Sequence, residues 1–164
     1  VCVNNPGINI VKPFDQITTD DYDKLMSVNV KAPFMINQIV TRGMRDRGCG
    51  RIINISSIYG LVSREGRTLY NMSKSCLLGM TKTLAIEMAN TNVLVNSVSP
   101  GFTRTDLTEK VLGETGITEI ENKIPVGRLA TTEEISKAVL FLCGEENTYI
   151  TGQNIVIDGG YLCG

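Results

Sequence analysis

Apolar residues along this chain fall into two kinds of pattern. Short apolar runs of the kind found in buried strands stand at 1–5, 51–57, 93–99 and 155–157. Between them lie longer stretches with helical spacing. One spans about 21–47, with Tyr22, Leu25, Met26, Ile36, Ile39, Val40 and Met44 as apolar marks. Thr18, Thr19 or Asp20 is available to cap it, and Gly48-Cys49-Gly50 ends it. A second helix is predicted over 69–89. A third covers 131–143, with Thr131 or Thr132 as cap and Glu134 in its first turn. Residues 58–68 read as a loop, and Pro100-Gly101 stops the third strand. The polar stretch 103–123, with scattered apolar residues, predicts one or two short helices. Strands alternating with helices imply a parallel sheet with right-handed crossovers and helices on both faces, in one domain over 1–164.

Pro33 interrupts the first helix. It has no N–H, so the carbonyl of Asn29, four residues back, loses its helical donor. That carbonyl is free for a water or a side chain, or the proline simply bends a long helix.

Composition narrows the chemistry. The chain has 164 residues, 42% hydrophobic and 20% charged, with a net charge of −1. It has no basic cluster, which argues against a nucleic-acid partner. No apolar run reaches the ~18–20 residues of a membrane span. Five dispersed cysteines, with no C-x-x-C pair, argue against a disulfide framework and for a reducing cytoplasm. There is no histidine, which excludes a Ser-His-Asp triad and a His-ligated metal. Asp20, Asp21 and Asp23 read as a helix start, so no metal site is expected.

Acid–base work then falls to Tyr, Lys, Asp or Glu. Tyr70 and Lys74 stand four residues apart on the second predicted helix and share a face. A neighbouring ammonium favours the ionised phenol, so Lys74 is expected to lower the Tyr70 pKa. Either residue alone reads as core or surface. Ser56-Ser57 lies just upstream, and Ser56 suits backbone capping at a strand end.

Several motifs in register give the chain a resemblance to the short-chain dehydrogenase/reductase family over nearly its whole length. Asn4-Asn5-Pro6-Gly7 resembles the family's Asn-Asn-Ala-Gly turn, with Pro6 replacing the alanine. Asn29 resembles the catalytic asparagine. Ser57, 13 residues before Tyr70, has the spacing of the catalytic serine, and Tyr70 with Lys74 matches Tyr-x-x-x-Lys. Pro100-Gly101 with Thr105 resembles Pro-Gly-x-x-x-Thr. Pro125–Arg128, Ile150–Gln153 and Asp158–Gly160 resemble the C-terminal pattern. The nearest branches are the 3-oxoacyl-carrier-protein reductases and the sugar or polyol dehydrogenases.

The resemblance implies a Rossmann-type doubly wound α/β sheet, of which this chain is the C-terminal portion, strands 4-5-6-7 of the order 3-2-1-4-5-6-7. It implies interconversion of a carbonyl and a secondary alcohol by hydride transfer with NAD or NADP. Tyr70 is implied as acid–base, and Lys74 as its activator and ribose ligand. Ser57 is implied to hold the substrate oxygen, and Asn29 to anchor a relay water. Asn4, Gly7, Pro100, Gly101, Thr103 and Thr105 are implied as further cofactor contacts, although Asn4 and Asn5 also suit a turn. The implied assembly is a homodimer or homotetramer through helices 21–47 and 69–89. The family's Gly-rich phosphate loop is nowhere in the chain, which leaves an inactive fragment or pseudoenzyme acting through oligomer contacts as the alternative. Neither the substrate nor the choice between NAD and NADP is legible.

Overall fold

A computed structural model describes residues 1–164, apart from the side chains of Leu107 and Val111. Four parallel strands lie side by side in chain order: β1 (Cys2–Asn4), β2 (Gly50–Ile55), β3 (Val93–Pro100) and β4 (Asn154–Ile157). This is the contiguous half-sheet expected from the sequence. β1 pairs only with β2, and Val1 and Val3 beside its free edge are 76% and 44% exposed.

Helices cover both faces. α2 (Ala32–Arg47) and α3 (Thr68–Met88) pack on one, where Met44, Ala85 and Met88 meet Ile52, Val93 and Val95. α5 (Thr132–Cys143) packs on the other, where Leu142 meets Ile53 and Val98. The central strand β3 is buried along nearly its whole length. This is why its sequence is a run rather than an alternation. A third apolar cluster lies past the end of β3, under α4 (Asp106–Glu121): Ile117, Ile120, Ile124 and Leu129, with Phe102 and Tyr161 against them.

The first predicted helix is three pieces. α1 (Thr19–Met26) starts at a capping box between Thr18 and Asp21. Residues Ser27–Lys31 form one wide π turn, and α2 follows. Pro33 falls in the first turn of α2, where a missing N–H costs least, so the chain rewinds instead of simply bending. Gly48 closes α2 at φ 63°, a left-handed cap that favours glycine. In α4 the helix breaks at Gly113, with φ 63° and ψ 178°, so the stretch holds two short helices run together. Thr131 caps α5 with Glu134 in a second capping box.

The register aligns a polar row across the sheet. Asn4 pairs with Asn54, Asn54 with Ser97, and Ser97 with Asn154. Buried amides and hydroxyls must find partners, and here they find one another. Asn4 Nδ2 donates to Asn37 Oδ1 (2.8 Å) and Asn54 Oδ1 (2.9 Å), and Asn54 Nδ2 donates to Thr81 Oγ1 (2.9 Å). Ser97 and Ser99 both donate to Asn154 Oδ1. The first network joins β1, β2, α2 and α3 at a single depth.

Outward faces of α2 and α3 remain apolar. Phe34, Ile39 and Ile86 are 55%, 69% and 78% exposed. A groove of about 870 Å³ runs between α1, α2 and α3, with Met26, Val30, Phe34, Met80 and Leu84 among its walls.

Replacing Asn54 with leucine strands the Asn4 and Thr81 side chains without their shared partner. Asn54→Leu is expected to lose roughly 2–4 kcal/mol. Urea unfolding followed by circular dichroism checks this; an unchanged midpoint contradicts the network's role.

Candidate active site

The C-terminal ends of parallel strands gather carbonyls that no further strand satisfies. Lys74, on α3, reaches into this region. Its side chain is 2% exposed, and Nζ donates to the carbonyls of Pro6 (2.8 Å) and Ile55 (2.9 Å). The lysine thus ties the turn after β1 to the end of β2. Asn29, fully buried in the π turn, ties that same turn from the other side. Its Oδ1 accepts from the Ile8 N–H (3.0 Å), and its Nδ2 donates to the Ile8 carbonyl (2.9 Å) and to Ser73 Oγ (3.1 Å).

Tyr70 lies one turn before Lys74, with the ammonium 5.6 Å from the ring centroid. Ser57 begins the 3-10 turn Ile58–Gly60, where its Oγ accepts from the Tyr59 N–H. The same hydroxyl stands beside the Tyr70 phenol. Ser56 turns inward and donates to the Lys74 carbonyl (2.9 Å), the backbone role foreseen for it. The four residues Asn29, Ser57, Tyr70 and Lys74 are therefore brought together. Tyr59, edge-on to Tyr70 at 6.3 Å between ring centroids, completes the wall.

The expected electrostatics need correction. Burial pushes the Tyr70 phenol above its ordinary value, partly offset by the Ser57 hydroxyl and the Arg67 cation. Burial outweighs the pull of the Lys74 ammonium, which is turned to two backbone carbonyls. Burial also pulls Lys74 itself down to about 8, a pull that those two carbonyl acceptors oppose.

The implied cofactor contacts divide. Pro100, Thr103 and Thr105 line a cleft of about 570 Å³ between the strand ends and α5, as does Asn5, which was not among those contacts. Ile55 lines it too, and the Ile55 carbonyl receives Lys74, so this residue joins the cleft to the tyrosine site. Gly101 is pressed against β4: a Cβ there would stand 2.8 Å from the Asp158 Cα. Gly7 is exposed. Asn4 lies elsewhere; its carboxamide is 4% exposed and spent in the interior network, so the structure gives that side chain a packing role in place of a cleft-lining one.

Sequence reasoning missed Asn71, whose Nδ2 donates to the carbonyls of Tyr59 and Val62 and holds the loop over Tyr70. It also missed Asn37 and Asn54. Their only signal was polarity within apolar stretches.

A family model described as enoyl-(acyl carrier protein) reductase matches residues 1–162. The chain belongs to the short-chain dehydrogenase/reductase family. It is 42% identical over 160 residues to the 3-oxoacyl-[acyl-carrier-protein] reductase FabG of Aquifex aeolicus, covering 98% of this chain and 64% of that protein. The solved structure of ElxO with NADP bound superposes with a TM-score of 0.93 at 34% identity, covering 99% of this chain and 66% of that one. A gluconate 5-dehydrogenase from Burkholderia cenocepacia, in complex with NADP and tartrate, gives a TM-score of 0.93 at 30% identity, over 99% of this chain and 64% of that one. This family member thus spans about two thirds of the length of these relatives. Among the described residues no helix is long and apolar enough to cross a membrane.

The buried lysine makes a signed prediction. A group that binds fewer protons folded than unfolded makes stability rise with pH between its two pKa values. For Lys74 these are about 8 in the fold and 10.5 unfolded. Tyr70, raised in the fold, acts oppositely above about 10. The urea midpoint of the wild type is therefore expected to gain on that of Lys74→Met between pH 8 and 10. A constant difference across that window contradicts the depressed lysine.

Proposed function

We propose that this chain carries the substrate-side portion of an NAD(P)-dependent oxidoreductase that interconverts a carbonyl and a secondary alcohol. The observation that carries the reading is the convergence of Asn29, Ser57, Tyr70 and Lys74 at the strand ends beside a cleft lined by Pro100, Thr103 and Thr105. The NADP-bound relatives support it. When bound, the nicotinamide supplies or accepts the hydride.

The chain's own residues handle the proton. At neutral pH Tyr70, its pKa raised, is a neutral phenol. That is the form that gives a proton to the alkoxide oxygen in the direction of reduction. The Ser57 hydroxyl, beside the phenol, holds the substrate oxygen and stabilises its developing charge. The phenolate left behind is stabilised by the Lys74 ammonium on the same helix face. Asn29 is a positioning residue: it holds the Ile8 backbone and Ser73, and so the turn whose Pro6 carbonyl anchors Lys74.

The donor set suits the nicotinamide and ribose end of a dinucleotide. Thr103 supplies a donor in the cleft, Pro100 and Ile55 an apolar floor, and the Lys74 ammonium bonds the carbonyl of that same Ile55. The diphosphate needs backbone N–H groups of the kind a Gly-rich loop presents, and the chain contains no such loop. The exposed apolar residues of α2 and α3 support a second reading, in which the chain acts only through contacts with other copies or chains. The apolar outer faces of α2 and α3 suit a homodimer or homotetramer under either reading.

Titration of the purified chain with NADH and NADPH, followed by nicotinamide fluorescence, decides between the two. Saturable micromolar binding, weakened in Lys74→Ala, is the expected result. Tyr70→Phe is expected to keep binding while ketone reduction falls by about 10²–10⁴-fold. No saturable binding by the folded chain overturns the enzyme reading for the isolated polypeptide.

A further inference from the structure

Beyond Tyr70 the aromatic residues form a continuous chain. Tyr59 stands edge-on to Tyr70 and, at 6.3 Å, to Phe102; Phe102 stands edge-on to Tyr161 at 5.3 Å. Tyr59, Phe102 and Tyr161 wall a cavity of about 220 Å³, closed by Val62, Ile120, Arg64 and Lys123. Arg67 lies over the Tyr59 ring, with Cζ 5.8 Å from its centroid, and its charge reaches the Tyr70 phenol. Two cations, Arg64 and Lys123, thus line one small aromatic cavity, and a third, Arg67, lies over the ring of Tyr59, the wall residue that stands edge-on to the candidate acid–base.

None of the three forms an ion pair among the described residues. The pairs found there are Lys12–Asp21, Arg104 with Glu109 and Glu121, and Arg128–Glu134. Glu65 lies on the far side of Arg64, in the adjacent hollow with Pro13 and Phe14. A water's share of liquid volume is about 30 Å³, so the cavity suits a molecule of several heavy atoms and is too small for a long acyl chain.

We propose that this cavity is an anion subsite, and that the substrate is a small oxo or hydroxy acid. Its carboxylate is held by Arg64 and Lys123, with the Arg67 charge over Tyr59 nearby, while its reacting carbon extends past Tyr59 toward Tyr70. The proposal rests on the oxidoreductase reading for the chemistry, but the carboxylate site stands on the cavity and its cations alone. The aromatic walls lower the local dielectric on one side of the bound acid and strengthen its attraction to the cations. Arginine's planar fork matches a carboxylate with two parallel hydrogen bonds.

The test compares levulinate with its neutral methyl ester as substrates of the full chain, with NADH and NADPH. The kcat/KM of the acid is expected to exceed that of the ester by about tenfold or more, since hydrogen bonds to charged groups are the strong ones. That ratio is expected to collapse toward one in the double variant Arg64→Gln/Lys123→Gln and to persist in Arg42→Gln, on α2. Equal rates for acid and ester, or a ratio indifferent to the double variant, overturn the subsite and leave the oxidoreductase reading intact. If neither compound is reduced, equilibrium binding of levulinate is read by tyrosine emission, since the chain has no tryptophan. Saturable binding that Arg64→Gln/Lys123→Gln abolishes upholds the subsite while counting against the oxidoreductase reading. No binding, or binding that Arg64→Gln/Lys123→Gln leaves unchanged, overturns the subsite.

Discussion

Buried side chains that cannot be left unpaired govern how this molecule is put together. Asn4, Asn37, Asn54 and Thr81 have lost water and recover their hydrogen bonds chiefly from one another. Apolar packing of α2 and α3 on β1 and β2 would tolerate sliding by part of a turn. The amide network does not, because each bond has a short, directional optimum. One arrangement satisfies the group and its neighbours leave partners stranded, so the network sets the depth at which the helices sit on the sheet.

That setting is what places α3, and α3 carries Tyr70, Ser73 and Lys74. Ser73 meets Asn29 across the molecule, and Lys74 meets the carbonyls of Pro6 and Ile55. Burying an ammonium here is costly, and the two carbonyls offset part of the cost. The result is a cation held close to the tyrosine but not spent on it. Burial dominates the tyrosine's acidity, so the protonated phenol is the resting form. The π turn serves the same end: it lets the chain pass Pro33 while keeping the Asn29 carboxamide pointed at Ile8.

Local features of the sequence carried over well where their causes were local. The capping residues Thr18 and Thr131, the Gly48 stop and the order of strands and helices are set by neighbours a few residues away. Pro33 announced a disturbance without saying which kind, because a bend and a wide turn both dispose of the missing N–H. Gly113 was one glycine in a polar stretch, and only its left-handed backbone shows that α4 is two helices. The Tyr70–Lys74 spacing correctly put both residues on one helix face. The expectation of an acidified tyrosine went astray because its burial was invisible in the sequence, as were the acceptors that hold Lys74: Pro6 lies 68 residues away.

The sequence by itself determined the alternation of strand and helix, the absence of histidine chemistry, and the presence of a serine, tyrosine, lysine and asparagine at meaningful spacings. These follow from periodicity, composition and local sterics, which need no knowledge of distant neighbours. Only the tertiary structure decided what each polar side chain does once water is gone. It placed Asn4 in the core and Asn29 against Ile8, aimed Lys74 at two strand-end carbonyls, and stacked Tyr59, Phe102 and Tyr161 beside cations from separate segments. Hydrogen bonding and desolvation depend on which groups meet in space, and those meetings join residues that stand tens of positions apart along the chain.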